Sequence, residues 1–270
     1  MDFHRENDMK HTRMLLITLV GLFLIGGCST CEPSLAQVGT LQGLLAGEYD
    51  GTVALGDLPG TGNPQTIGLG TFDALDGEMV VLDGAYYRVP TSGRIAVMKP
   101  TDTTPFVNVA TVDFGAPLFQ GSFNGNYAAL KTYISSKLPD PTRPYAIRIH
   151  GSFRSVKTRS VPRQTKPYKK LIAVVKTGQV VFELQHVRGT VVGFCFPASF
   201  KGLNIVGFHL HFLTADRSAG GHVLGIQPYA GSREITICIA PLKKDIQWFG
   251  KKGEVRESSA EDLKAIEQGK

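Results

Sequence analysis

The sequence predicts an α+β fold in which strands outnumber helices, arranged in mixed and antiparallel sheets. Three observations lead there. Short runs rich in Val, Ile, Thr and Phe recur along the chain, separated by turns such as Asp76-Gly77 and Asp83-Gly84, a pattern of hairpins. Helical spacing of apolar residues is confined to a few short segments. The composition, 42% hydrophobic and 19% charged over 270 residues, is that of a globular chain long enough for one large or two modest domains.

Taken in order, Met14–Gly27 is an apolar run behind Lys10, His11 and Arg13. It is too short for a comfortable membrane span and reads as the apolar core of a secretory signal over residues 1–27. It ends Ile25-Gly26-Gly27-Cys28, which resembles a bacterial lipobox with Cys28 as the lipidated mature N-terminus. An ordinary cleaved signal is the alternative. Either way the chain is expected to be exported, as a cell-envelope lipoprotein or as a periplasmic or secreted protein. Residues 28–38, with Cys31, read as a tether. Cys195 and Cys238 lie in apolar runs and read as buried thiols, with a disulfide between them left open.

Thr40–Gly47 reads as a short helix with Thr40 as N-cap and Gly47 as its stop. Strands are predicted at Thr66–Phe72, Glu78–Leu82, Ala85–Val89, Arg94–Met98 and Phe106–Phe114. Leu130, Tyr133, Ile134 and Leu138 give Tyr127–Leu138 a helical face. Tyr145–Phe153 and Val156–Val161 read as strands. The basic, proline-bearing stretch Pro162–Lys170 is the best domain boundary, dividing a 39–161 domain from a 162–270 domain. Leu171–Val175 reads as a short helix or a strand. Gly189–Phe196, Ile205–Leu213, His222–Ile226 and Glu234–Ala240 read as an antiparallel sheet. Ser258-Ser259-Ala260-Glu261 is a capping box opening a last helix.

Three of the seven histidines fall between residues 209 and 222. His209 and His211 are two apart on a predicted strand, so they point the same way. Thr214–Gly221 reads as a hairpin connection that brings His222 back beside them. Three imidazoles on one face are the ligand set of a catalytic zinc with open coordination positions. Imidazole suits copper, iron and nickel as well, so zinc or another divalent metal is expected. The formal charge of +6 is spread along the chain without a basic tail or a basic-aromatic stripe, which argues against nucleic acid and leaves room for a small acidic substrate. Membrane association is expected only through the N-terminal lipid.

Gly207-Phe208-His209-Leu210-His211-Phe212, Asp216-Arg217 and Gly220-Gly221-His222-Val223 together resemble the signature of the acetolactate decarboxylases. Further segments agree in order: Tyr49-Asp50-Gly51, Gly70-Thr71-Phe72 running to Glu78, Tyr145–Ile149, Thr158-Arg159, Lys166-Pro167-Tyr168 and Val187–Phe194. The resemblance covers nearly all of the chain after the signal. It implies two β-rich domains with a zinc site between them and a possible homodimer. It also implies conversion of 2-acetolactate (2-hydroxy-2-methyl-3-oxobutanoate) to (R)-acetoin and carbon dioxide through a metal-stabilised enediolate.

Carried over residue by residue, it makes His209, His211 and His222 the metal ligands, Glu78 the catalytic glutamate, Arg159 the active-site arginine and Thr71 a substrate neighbour. A second glutamate comes from the C-terminal tail, with Glu267 the best match and Glu261 the alternative. Thr165 departs from the family, which often has a glutamate before Lys-Pro-Tyr. Read without the resemblance, Glu78 beside a turn is a solvated hairpin residue and Arg159 a surface charge. A non-catalytic, surface-anchored metal-binding lipoprotein would need neither, and a zinc hydrolase would use the same ligands.

Overall fold

The computed structural model describes residues 32–229 and 234–250. Cys28, Glu261, Glu267 and the predicted final helix lie outside these residues. In chain order the strands of the first half are β1 (Leu35–Val38), β2 (Val53–Ala54), β3 (Thr66–Thr71), β4 (Glu78–Leu82), β5 (Ala85–Val89), β6 (Ala96–Val97), β7 (Thr103–Thr104) and β8 (Phe106–Thr111). Those of the second are β9 (Phe119–Gly121), β10 (Tyr145–Ser160), β11 (Val180–Phe196), β12 (Gly207–Thr214), β13 (Gly220–Pro228), β14 (Ile235–Pro241) and β15 (Ile246–Phe249). The α-helices are α1 (Leu41–Ala46), α2 (Tyr127–Ser136) and α3 (Leu171–Gly178).

The first sheet has the order β15-β1-β8-β3-β4-β5-β6. It is mixed, because β1 runs parallel to β15 and antiparallel to β8. The second has the order β11-β12-β13-β10-β14-β9, and β10 also pairs with β11. Strands β10, β11, β12 and β13 therefore close on themselves, with β14 and β9 continuing from the first half of β10. Closure brings backbones close together. A Cβ at Gly193 would lie 2.1 Å from the carbonyl oxygen of His209 on the facing strand, so only glycine lets β11 approach the histidine strand at that point.

The apolar residues sort by strand alternation. On β4, Val80 and Leu82 join a core shared with Val192, Phe194 and Leu213 of the second sheet. Met79 and Val81 turn to the opposite face, against Val107 and Val109. Phe153, Val191, Phe212 and Val223 fill the inside of the closed strands, and α2 packs Leu130 and Ile134 onto the same cluster. Both sheets thus have two covered faces, and the layer between them is where the site lies.

Several sequence expectations need adjusting. Leu35–Val38, expected to be tether, is a strand with every residue buried. Four residues are too few to show a period, and Gln37 hides its use: its amide is satisfied by the carbonyls of Gly39 and Leu203 and by Asn204. The segments 145–153 and 156–161 form one strand, with register shifts opposite β13 after Phe153 and Lys157. This strand, grouped by sequence with the N-terminal half, runs through the second sheet. Strand β11 begins at Val180, nine residues before the predicted start, because its first half is mostly exposed and carries no clean alternation. The 171–178 segment is a helix. The helix at 41–46 has the expected ends: Thr40 Oγ1 accepts from the Gly43 amide and Gly47 is left-handed at φ 97°. The Asp83-Gly84 turn has both residues left-handed, at φ 53° and 76°, as a two-residue hairpin requires. Cys195 and Cys238 are free thiols and buried.

Candidate metal centre and active site

Two hairpins from different sheets meet across the shared core. From the second sheet, His209 and His211 project from β12 on the side of Leu213, and the register of β12 with β13 sets His222 directly opposite His211. The three ring centroids are 5.2, 5.2 and 5.3 Å apart, and one ligand atom from each ring lies within 4.8 Å of the others. All three side chains are buried.

The electrostatics of the trio follow from that burial. Loss of solvation pushes the imidazolium form of His211 down to about 3, with the Arg159 charge adding to the effect. Burial holds His209 and His222 well below the ordinary histidine value too. All three are therefore neutral near pH 7, with one ring lone pair each. For His211 the tautomer is settled. Its Nδ1 lies 2.7 Å from the Met79 carbonyl oxygen, which can only accept, so Nδ1 carries the hydrogen and Nε2 the lone pair.

The His211 Nε2 atom lies 3.3 Å from His222 Nδ1. Two nitrogens bound to one tetrahedral ion at about 2.05 Å stand roughly 3.3 Å apart. His209 Nδ1 is buried with no hydrogen-bond partner among the described residues, which is costly for a polar atom. Neutral, converging nitrogen donors of this kind fit a divalent cation.

From the first sheet, Thr71 on β3 and Glu78 on β4 form a cross-strand pair facing the histidines. Glu78 Oε2 is 3.6 Å from His211 Nε2. Burial raises the Glu78 carboxyl to about 7, partly offset by Arg159. Thr71 Oγ1 donates 2.7 Å to the Gly77 carbonyl, so its hydroxyl hydrogen closes the β3–β4 connection and only its lone pairs remain for another partner.

Arg159, opposite His222 on β10, is 3% exposed, and its Nε and Nη1 have no partner among the described residues. A buried guanidinium with unmet donors is poised for an anion. Thr71, Glu78, Arg159, His209, His211 and His222 all line one cavity, so every sequence-derived site residue within the described range comes together there.

The rest of the wall was not anticipated. Leu41 and Leu44 of α1, Leu171 of α3, Phe106 and Ile205 enclose the polar groups. Their only sequence signal is being apolar, which does not separate a cavity wall from ordinary core.

A family model for alpha-acetolactate decarboxylase matches residues 35–244. The chain belongs to the alpha-acetolactate decarboxylase family. Among curated relatives, the alpha-acetolactate decarboxylase of Methanosarcina mazei is 39% identical over 87% of this chain and 80% of its own length. That of Bacillus subtilis is 39% identical over 69% of this chain and 71% of its own. Among solved structures, acetolactate decarboxylase from Bacillus subtilis subspecies spizizenii has a TM-score of 0.71 at 32% identity, covering 87% of this chain and 99% of that one. The α+β architecture of this chain is thus that of the family.

Proposed function

We propose that the chain decarboxylates 2-acetolactate to (R)-acetoin and carbon dioxide in this cavity, with zinc as the ion held by His209, His211 and His222. The observation that carries the reading is the pairing of a buried carboxyl raised to about 7 with a buried, unsatisfied guanidinium beside three neutral imidazoles. Membership of a decarboxylase family supports the reaction class. A bare metal-binding protein would have no use for Glu78 and Arg159, and burying both without a role is unfavourable.

The substrate loses its C2 carboxylate. The C–C bond breaks, carbon dioxide departs, and the electron pair left at C2 delocalises into the neighbouring C3 ketone. A divalent cation on the three histidines would supply a Lewis acid that draws this charge toward the ketone oxygen. Arg159 donates its free N–H groups to the anionic substrate and holds the carboxylate oriented. The apolar wall from α1 and α3 keeps water away, which strengthens these interactions and maintains the Glu78 proton. Glu78 then delivers that proton to one face of C2, becomes a carboxylate, and recovers a proton from water. One-faced delivery yields a chiral product. Glu267, or Glu261, is proposed as a second carboxylate at the same cavity.

The test is product analysis. Racemic acetolactate is supplied to the metal-loaded protein, to the same protein stripped by a chelator, and to stripped protein given zinc. Acetoin formation lost on stripping and restored by zinc supports the reading, whereas no acetoin from the loaded protein removes it. For the N-terminus we propose export with lipid on Cys28. Fatty-acid labelling that survives Cys28→Ala, or that is absent from the wild type, contradicts this.

A further inference from the structure

The cavity proper, ≈ 30 Å³, has space for only about two water molecules. A nine-heavy-atom substrate must therefore enter by displacing part of the wall. Two wall residues each separate the cavity from an outer groove. Ile205 is shared with an open groove of ≈ 970 Å³ between α2, β10, β12 and β13. Leu44 is shared with a second groove beside α1.

The two grooves have opposite charge. The charged residues lining the first are Lys131 and Lys157. Those lining the second are Glu48 and Asp50. Some of this charge is already answered: Lys157 pairs with Glu183 at 3.1 Å, and Asp50 with Lys166 at 2.8 Å. Lys131 has its ammonium 4.4 Å from the centre of the Tyr127 ring and no ion pair with a described residue, and Glu48 likewise has none. The difference between the routes therefore rests on Lys131 against Glu48.

We propose that anionic substrate reaches the metal cavity through the groove that carries Lys131, passing Ile205, and that the Glu48 groove does not admit it. A small carboxylate is concentrated by a positive, low-dielectric groove and repelled by a negative one. The identity of the carboxylate rests on the reaction proposed above; the route itself needs only an anion entering a metal site.

The experiment compares wild type, Lys131→Glu, Lys131→Gln and Glu48→Lys, all metal-loaded, in two assays. The first is kcat/KM for acetolactate at low and high salt. The second is the rate at which dipicolinate, an anionic chelator, and phenanthroline, a neutral one, remove the metal. Lys131→Glu is expected to lower kcat/KM about threefold to tenfold at low salt, leave kcat unchanged, and lose the effect at high salt. It should slow dipicolinate and not phenanthroline. Lys131→Gln should fall between it and wild type, and Glu48→Lys should match wild type. Lys131→Glu indistinguishable from wild type in both assays overturns the route, as does Glu48→Lys accelerating both substrate and dipicolinate. If wild type makes no acetoin, the proposed reaction fails while the chelator rates still decide the route.

Discussion

The β12–β13 hairpin and the β3–β4 hairpin face each other across one cavity, and burial acts on them with opposite sign. On the first it strips the histidines of their protons; on the second it keeps a proton on Glu78. The cause is the same, because a low-dielectric site disfavours whichever form is charged. One hairpin therefore offers lone pairs and the other an acid, with Arg159 the fixed charge between them. A metal ion and an anionic substrate fit that surround, and the division of labour follows residue type: equal burial takes the proton from a cationic acid and leaves it on a neutral one.

The largest effect should come from breaking the lone-pair side. Replacing His209, His211 or His222 by Ala should lower metal content and abolish turnover, because two imidazoles hold an ion poorly. Metal analysis of the purified variants checks each residue, and full stoichiometric metal in any one removes that histidine from the set.

Breaking the acid side should leave the metal in place. Glu78→Gln keeps the shape and loses the proton, so turnover should fall by about 10² to 10⁴ while metal content and thermal stability stay near wild type. Steady-state kinetics and metal analysis on one preparation separate this from the histidine result. Smaller again is Arg159→Lys, which keeps the charge and loses the forked donor. A charge-assisted hydrogen bond contributes about 1.5 to 3 kcal/mol, so kcat/KM should fall roughly tenfold to a hundredfold.

The subtlest effect is on stability against pH in the metal-free protein. Just below 6.5, the three histidines are protonated when unfolded and neutral when folded, since burial lowers each in the fold. Stability from these depressed groups is present above 6.5 and is lost as pH falls. Glu78 runs the other way: its raised folded value gives stability that is fully present below 4.5 and lost as pH rises through about 7. Unfolding free energy should therefore rise with pH toward 6.5, and more steeply in Glu78→Gln than in wild type, by about one proton's worth. Denaturant titrations at several pH values read both slopes, and equal slopes would mean Glu78 does not hold its proton in the folded state.

Legibility in the sequence divided along the same line. The histidine hairpin could be read from the residues because its logic is local: an i, i+2 pair and a tight return fix three side chains on one face. Glu78 and Arg159 are different. Their neighbours in sequence make them a turn carboxylate and a surface cation, and the groups that bury them, Leu41, Leu44 and Leu171, come from distant helices. Only the family resemblance pointed to them. Strand β4 was legible to the residue, since Asp76-Gly77 and Asp83-Gly84 bracket it. The first half of β11 was not, because exposure on its outer side erases alternation, and β1 was too short to have a period.

The most direct test of this account is the enantiomeric purity of acetoin made by Glu78→Gln. If Glu78 is the proton donor on one face of the cavity, the slow residual reaction takes its proton from water, and the acetoin should approach a racemate while the metal remains bound. Acetoin of unchanged purity, formed near the wild-type rate, would contradict it and pass the role to another carboxylate.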